Sequence, residues 1–408
     1  MPGQHIHTAP WVVPIEGAVL VGGGVAVEQG RILAVGPRRD LQQQFPRAEL
    51  IDHPRAALTP ALINAHIHLE LSHLTELAAK PLDTSFTGWI VRLLSLRDKL
   101  GMTGPLVEEA AERTAQQQYA QGCSALLDIG NTNIGQNLDS AFSGRLLPYK
   151  EYLGLAAFTL EKNLQRLKAE PENIPCSAHA PYSTHPTLIQ ALKKRAQACG
   201  HIFSIHVAEP LAEGEMLAQG RGEMVDFVRS RGFWDGSFTA PGDSGSVRYL
   251  HGLGVIDEHT LCVHAVHLDQ EEIRILAGEG GKICLCPGSN RFLQVGTASV
   301  EQFLEAGILP ALGTDSAASN PELSLWREMA LLAEEHPRID PERIFAMATR
   351  GGAEALGIDR QKGTLAPGKD ADILAVPVPA SLRDTGQLMH HLVTAGITIQ
   401  PEWVFTEE

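Results

Sequence analysis

His66 and His68 stand one residue apart in the segment NAHIHLE (64–70). In an extended chain that spacing turns both side chains to one face, where two imidazoles can grip one cation. Alone, such a pair is more commonly two packed histidines than a ligand pair. The ligand reading gains force because other chemistry-bearing residues sit in the same kind of place, at the end of an apolar run. His179 falls in IPCSAHA (174–180), His206 in IFSIHVAE (202–209), His264 in TLCVHAV (260–266), and Asp315 closes LPALGTD (309–315). His206 adds a third nitrogen and Asp315 an oxygen. Three imidazoles and a carboxylate suit one divalent cation, Zn2+ ahead of Fe2+ or Mn2+, with a position left for water. Such an ion lowers the pKa of its water towards about 7 and so supplies a nucleophile at neutral pH. Glu209, three residues after His206, adds an extra carboxylate at the same end of the run. Its plain reading is a solvated loop carboxylate.

Residues at the ends of runs need strands to carry them. From Leu58 onward short apolar runs alternate with longer amphipathic stretches. The runs are TPALINAHIH (59–68), SALLDIG (124–130), LLPYKEYLG (146–154), the three histidine-bearing runs above, KICLCP (282–287) and LPALGTD. Helix-like stretches at Gly104–Gly122, Pro186–Gly200, Glu215–Gly232 and Ser299–Gly307 each end near a glycine, as helix C-termini often do. This alternation predicts a (β/α)8 TIM barrel over residues 58–359, whose site lies at the C-terminal ends of the strands. Gly232–Gly254 reads as a loop before the sixth strand. The head, GAVLVGGGVAVEQGRILAVG (17–36), and the tail, GTLAPGKDADILAVPV (363–378), both have the texture of short strands. Segments 1–57 and 360–408 are expected to pair into one small β-sandwich domain beside the barrel.

Composition narrows the partners. The net charge of −15 over 408 residues argues against a nucleic-acid partner, because phosphate neutralisation needs a surplus of Lys and Arg. No apolar run reaches the roughly 18 to 20 residues of a membrane span, and Met1–Pro10 does not read as a secretory signal. The six cysteines form no CxxC pair; Cys284 and Cys286 alternate on one strand and read as core or pocket lining. Buried, reduced thiols in a cytoplasmic protein are the expectation, with a small-molecule substrate and neither nucleic acid nor membrane as partner.

With these residues in view, the chain resembles the amidohydrolase superfamily, in the branch that contains adenosine-type and cytosine deaminases and triazine hydrolases. The resemblance covers nearly the whole chain. It rests on NAHIHLE (64–70), AHAPYS (178–183), IHVAE (205–209), VHAVHL (263–268), CPGSN (286–290), GTDSAASNP (313–321) and PGKDADILAV (367–376). It implies that His66, His68, His206 and Asp315 hold the metal. It also implies that Glu209 protonates a ring nitrogen, His264 polarises or orients the attacked group, Asp315 takes a proton from the attacking water, and His179 contacts the substrate ring. Ammonia would leave. One metal is expected rather than two, because the fourth run ends in His179 where two-metal relatives carry a bridging lysine; Lys150 is therefore not expected to bridge. A homodimer is the family expectation. His267, His73 and His185 read as flanking or rim residues, and His5, His7, His390 and His391 as surface.

The substrate is less determined. Trp89 is either a core residue or, as in similar nucleoside deaminases, an aromatic packed on the substrate. Those relatives place a glutamate for ribose hydroxyls shortly afterwards, where this chain has Arg97 and Asp98. An arginine there would suit a carboxylate, which guanidinium binds in two-pronged fashion; Arg145 and Arg291 are further candidates. HLELS (68–72) and CPGSNR (286–291) are most similar to the aminodeoxyfutalosine deaminases of menaquinone biosynthesis, whose substrate joins an adenine nucleoside to a benzoate. The leading expectation is thus hydrolytic deamination of a purine-nucleoside-like or other aminated heterocycle. The alternatives are hydrolysis of a cyclic amide or carbon–halogen bond, and a barrel scaffold without activity.

Overall fold

A computed structural model describes residues 3–138, 141–243 and 245–404. The head of the chain forms β1 (His5–Val12), β2 (Leu20–Glu28), β3 (Arg31–Pro37), β4 (Glu49–Asp52) and β5 (Ala56–Pro60). β2 and β3 are joined at Gln29 and Gly30, both with positive φ (50° and 70°), the backbone that a tight right-twisted hairpin requires.

The chain then enters its strand–helix alternation. β6 (Leu62–Ile67), β7 (Cys123–Gly130), β8 (Arg145–Tyr152) and β9 (Cys176–Ala178) form one parallel sheet in chain order. β10 (Phe203–Val207), β11 (Thr260–His264), β12 (Lys282–Leu285) and β13 (Ala311–Leu312) form a second. The two sheets meet at both margins. The His206 N–H donates to the His179 carbonyl at 2.9 Å, and the N–H groups of Thr314 and Asp315 both donate to the His66 carbonyl at 3.0 Å. Every residue of β6, β7, β10 and β11 is buried, as parallel strands covered on both faces must be. This is a TIM-barrel-type α/β fold.

Alternation along the strands separates two cores. Ile63, Ala65, Ala125, Leu127, Leu261, Val263 and Cys284 fill one cluster. Leu62, Leu126, Cys262 and Ile283 face the other, against the helices. β14 (Ile373–Pro377) then pairs antiparallel with β5, and β15 (Glu402–Trp403) with β14. Strands from both ends of the chain therefore share one seven-stranded mixed sheet. The tail beyond Val404 lies outside the described residues.

Three local expectations change. The stretch Glu215–Gly232 is two helices, Leu211–Gln219 and Glu223–Ser230, because Gly220 and Gly222 both take positive φ (61° and 100°) and interrupt the turn. Part of Gly232–Gly254 is a helix, Ser246–Gly252, docked through Val247 and Leu250. His7, read as surface, is buried in β1, where its Nδ1 meets His53 Nε2 at 3.2 Å. Among the described residues no helix is long and apolar enough to cross a membrane. All six cysteines are free thiols, and all but Cys199 are buried.

Candidate metal centre

Four side chains converge where the two parallel sheets meet. His66 Nε2 lies 3.1 Å from His206 Nε2. Asp315 Oδ1 lies 3.7 Å from His66 Nε2 and 3.4 Å from His68 Nε2. Donor atoms sharing one tetrahedral Zn2+ at about 2.0–2.1 Å would be separated by roughly 3.3 Å, so this spacing fits a single ion. The outer atoms support the same reading. His68 Nδ1–H donates to the Ile129 carbonyl at 2.7 Å, and His206 Nδ1–H to the His179 carbonyl at 2.8 Å. Both bonds leave the Nε2 lone pair facing inward, as oriented ligand histidines do. Ser289 and Ser319 hydroxyls both donate to Asp315 Oδ2, which leaves Oδ1 for the shared point.

The backbone is shaped to aim these groups. In β6 the inner cluster takes Ile63 and Ala65, yet His66 and His68 reach the site. The pairing of β6 with β7 slips between Asn64 and Ile67, and such a bulge inverts which residues face inward. Asn64 braces the slip: its Nδ2 donates to Gln118 Oε1 (2.9 Å) and Thr314 Oγ1 (2.8 Å). Asp128 Oδ1 accepts from the Leu69 N–H at 2.8 Å and fixes the turn after His68. Ala208, His264 and Asp315 all have positive φ (50°, 71° and 58°). L-residues adopt that backbone at a cost, and such strain collects at functional sites.

Burial and charge set the protonation states. Burial lowers the pKa of His66 to about 4 and that of His206 well below the ordinary value, so both stay neutral, the form that binds metal. His68 is also disfavoured as a cation by burial, but Asp315 and Glu151 outweigh this and raise it. Burial opposes ionisation of Asp315, yet the neighbouring imidazoles, His66 and His68 foremost, hold it well below the carboxylate range. Burial, then the charge of Asp315, pushes Glu209 well above that range. Glu209 Oε1 faces His264 Nε2 at 3.6 Å, while His264 Nδ1 donates to Asn290 Oδ1 at 2.9 Å. The CPGSN segment thus braces both His264, through Asn290, and Asp315, through Ser289.

A cavity of about 440 Å3 opens onto this centre, and His68, His206, Glu209, His264 and Asp315 reach it. His179, Trp89 and Arg97 also line it. Trp89 is buried and also lines the cavity, with its Nε1–H donating to the Ala318 carbonyl at 3.2 Å. Two predicted residues do not reach the cavity. Arg145 starts β8, at the end of the strand opposite the site, and donates to Gln361 Oε1 at 2.8 Å. Arg291 points away from the cavity onto Glu334 (3.0 Å) and Glu335 (2.8 Å). Arg97 lines the wall but faces the buried carboxylate of Glu70 at 3.7 Å. Lys150 turns outward onto Glu170 at 2.6 Å. Its neighbour Glu151 turns inward, a lining residue that alternation along LLPYKEYLG could have found. Lys162 and Arg166, on the helix Ala157–Ala169, and Arg231, at the end of the helix Glu223–Ser230, stand at the cavity mouth; they had no signal in the sequence because which faces of these helices turn to the cavity was not legible.

Fold and side chains together define a TIM-barrel-type protein with a candidate metal centre. Residues 57–406 match the amidohydrolase family model. The chain belongs to the amidohydrolase family, and with it to the hydrolases acting on carbon–nitrogen bonds. A short segment, 23–48, matches an imidazolonepropionase-like composite domain of bacteria. The chain is 29% identical to a 5-methylthioadenosine/S-adenosylhomocysteine deaminase of Nitratidesulfovibrio vulgaris, covering 92% of this chain and 84% of the relative. It is 27% identical to an aminodeoxyfutalosine deaminase of a Nitratiruptor species, over 98% of this chain and 97% of the relative. Helicobacter pylori aminofutalosine deaminase, solved with methylthio-coformycin, superposes with a TM-score of 0.81 at 25% identity, covering 96% of each chain.

Proposed function

We propose that the chain is a hydrolytic deaminase of an adenine-nucleoside-like substrate, with one divalent ion, Zn2+ foremost, held by His66, His68, His206 and Asp315. The observation that carries this is the convergence of those four side chains beside a cavity whose wall adds Glu209 and His264. An ion bound there would supply Lewis acidity and a nucleophilic water at neutral pH. The residues do the rest. Asp315, ionised, accepts a proton from the attacking water. His264, with its Nδ1–H on Asn290, presents the Nε2 lone pair and orients that water. Glu209, kept protonated by burial, donates to a ring nitrogen as the amine-bearing carbon becomes tetrahedral. Return of a proton to the amine then lets ammonia leave. His179 and Trp89 position the ring. The sheet that joins both chain ends, over 1–57 and 360–408, is the separate β-domain in this reading, and 58–359 the barrel.

The cavity mouth supports a substrate with an acidic extension. Arg97 faces Glu70, so the other cations that line the cavity are Lys162, Arg166 and Arg231, beside Phe227, Phe233 and Leu153. Cations beside apolar rings suit an aromatic carboxylate, and this favours a benzoate-bearing nucleoside such as aminodeoxyfutalosine. The test is ammonia release by metal-loaded protein from a panel of adenine nucleosides with neutral and carboxylated extensions, with a cyclic amide alongside. Turnover of the nucleosides supports the reading. Opening of the amide with no ammonia from any nucleoside would overturn it.

A further inference from the structure

Glu151, the last residue but one of β8, lines the cavity and is 6% exposed. One of its oxygens is occupied, since Oε2 accepts from Asn131 Nδ2 at 2.8 Å. The other, Oε1, is buried and has no hydrogen-bond partner. A buried carboxylate oxygen without a donor is costly, and the cavity is the place from which a donor can come. Glu151 also lies beside His179 and His206, with ligating atoms of the three within 4.8 Å of one another. It therefore stands next to His179, the residue that would touch the ring. We infer that Glu151 Oε1 is a hydroxyl-reading subsite, which accepts a hydrogen bond from a sugar hydroxyl of the nucleoside. This rests on the deaminase reading above and adds to it a preference for ribosides over deoxyribosides.

The holder makes the subsite testable. Asn131 Nδ2 is a fixed donor, so in Glu151→Gln the amide oxygen stays on Asn131 and the NH2 group faces the cavity, where it cannot accept. The experiment compares kcat/KM for matched ribo-, 2′-deoxy- and 3′-deoxy-adenine nucleosides. Wild type should prefer the riboside over one deoxy form by about 10- to 100-fold, the range of a charge-assisted hydrogen bond. In Glu151→Gln that ratio should fall to within about threefold, through loss on the riboside alone. Glu151→Ala serves if the first variant is unstable. An unchanged ratio in a variant that still deaminates overturns the subsite and leaves the deaminase reading standing. No turnover of any nucleoside by wild type overturns both. Two zinc ions per chain in wild type, falling to one in Glu151→Gln, would also overturn it, because Glu151 would then be a metal ligand.

Discussion

Glu209 Oε1 and His264 Nε2 face each other at 3.6 Å, each almost fully enclosed. In water such a pair would become carboxylate and imidazolium. Here burial works on both partners in the same sense: it raises the acid and lowers the base. Burial thus favours the neutral form of each, a proton on Glu209 and a lone pair on His264. That is the division of labour a deaminase needs, a donor for the ring and an acceptor for the water.

Glu209→Gln keeps the shape and removes the transferable proton. Turnover should fall by about 10²- to 10⁴-fold, the usual contribution of a positioned acid–base group. Metal content should stay at wild-type level, because Glu209 is not among the four converging groups. Ammonia-release kinetics with metal analysis on the same sample decide it. A variant of undiminished kcat would remove Glu209 from the mechanism.

Glu213 gives a stability prediction with a definite sign. Its Oε1 accepts from the Ala208 N–H (2.8 Å) and the Ser246 hydroxyl, while Oε2 is buried without a partner and can carry a proton. Burial raises its pKa from 4.5 to about 8. The folded state therefore holds a proton that the unfolded state releases above its own pKa. This contribution is fully present below about pH 4.5 and is lost as pH rises through about 8. In Glu213→Gln the loss disappears. Denaturant unfolding across that window should show wild type weakening relative to the variant with rising pH, by a few kcal/mol at most; parallel profiles would refute the assignment.

The cationic mouth should read charge at a distance from the chemistry. Arg166→Ala and Arg231→Ala should raise KM for a carboxylate-bearing nucleoside by about tenfold, since a hydrogen bond to a charged group is worth on the order of 1.5–3 kcal/mol and these sites are partly solvent-screened. kcat should change little, and a neutral nucleoside should lose almost nothing. Equal losses on both substrates would mean that these residues shape the wall and do not read the anion.

How far the site could be read from sequence depends on distance along the chain. The converging histidines and Asp315 were legible because each closes an apolar run, and a barrel puts all such ends on one face. The inward turn of His66 and His68 was not, since it depends on the slip between β6 and β7. The arginines show the same limit. Arg145 begins its run, so its place at the far end of β8 was open to reading, whereas Arg291 is drawn outward by Glu334 and Glu335 on a helix more than forty residues later. The break at Gly220 and Gly222 was visible as two glycines, but periodicity carried the helix through them.

Gly313 tests whether the centre depends on a close approach of strands. A Cβ there would lie 2.7 Å from His66 Cβ, 2.8 Å from the His66 carbonyl oxygen and 2.9 Å from Cys284 Sγ. Two of these atoms belong to a converging residue, and Gly313 precedes Asp315 by two. Gly313→Ala must therefore push the His66 strand from the Asp315 loop, which share the bonds from Thr314 and Asp315 to the His66 carbonyl. The expected cost is about 1–3 kcal/mol of stability. Metal affinity should fall by roughly 10- to 100-fold, the scale seen when ligand support is disturbed. Adding Cys284→Ala should relieve only the sulfur contact, so the double variant should recover part of the stability and little of the affinity. Full recovery of metal binding would show that the sulfur contact, and not the His66 backbone, sets the limit.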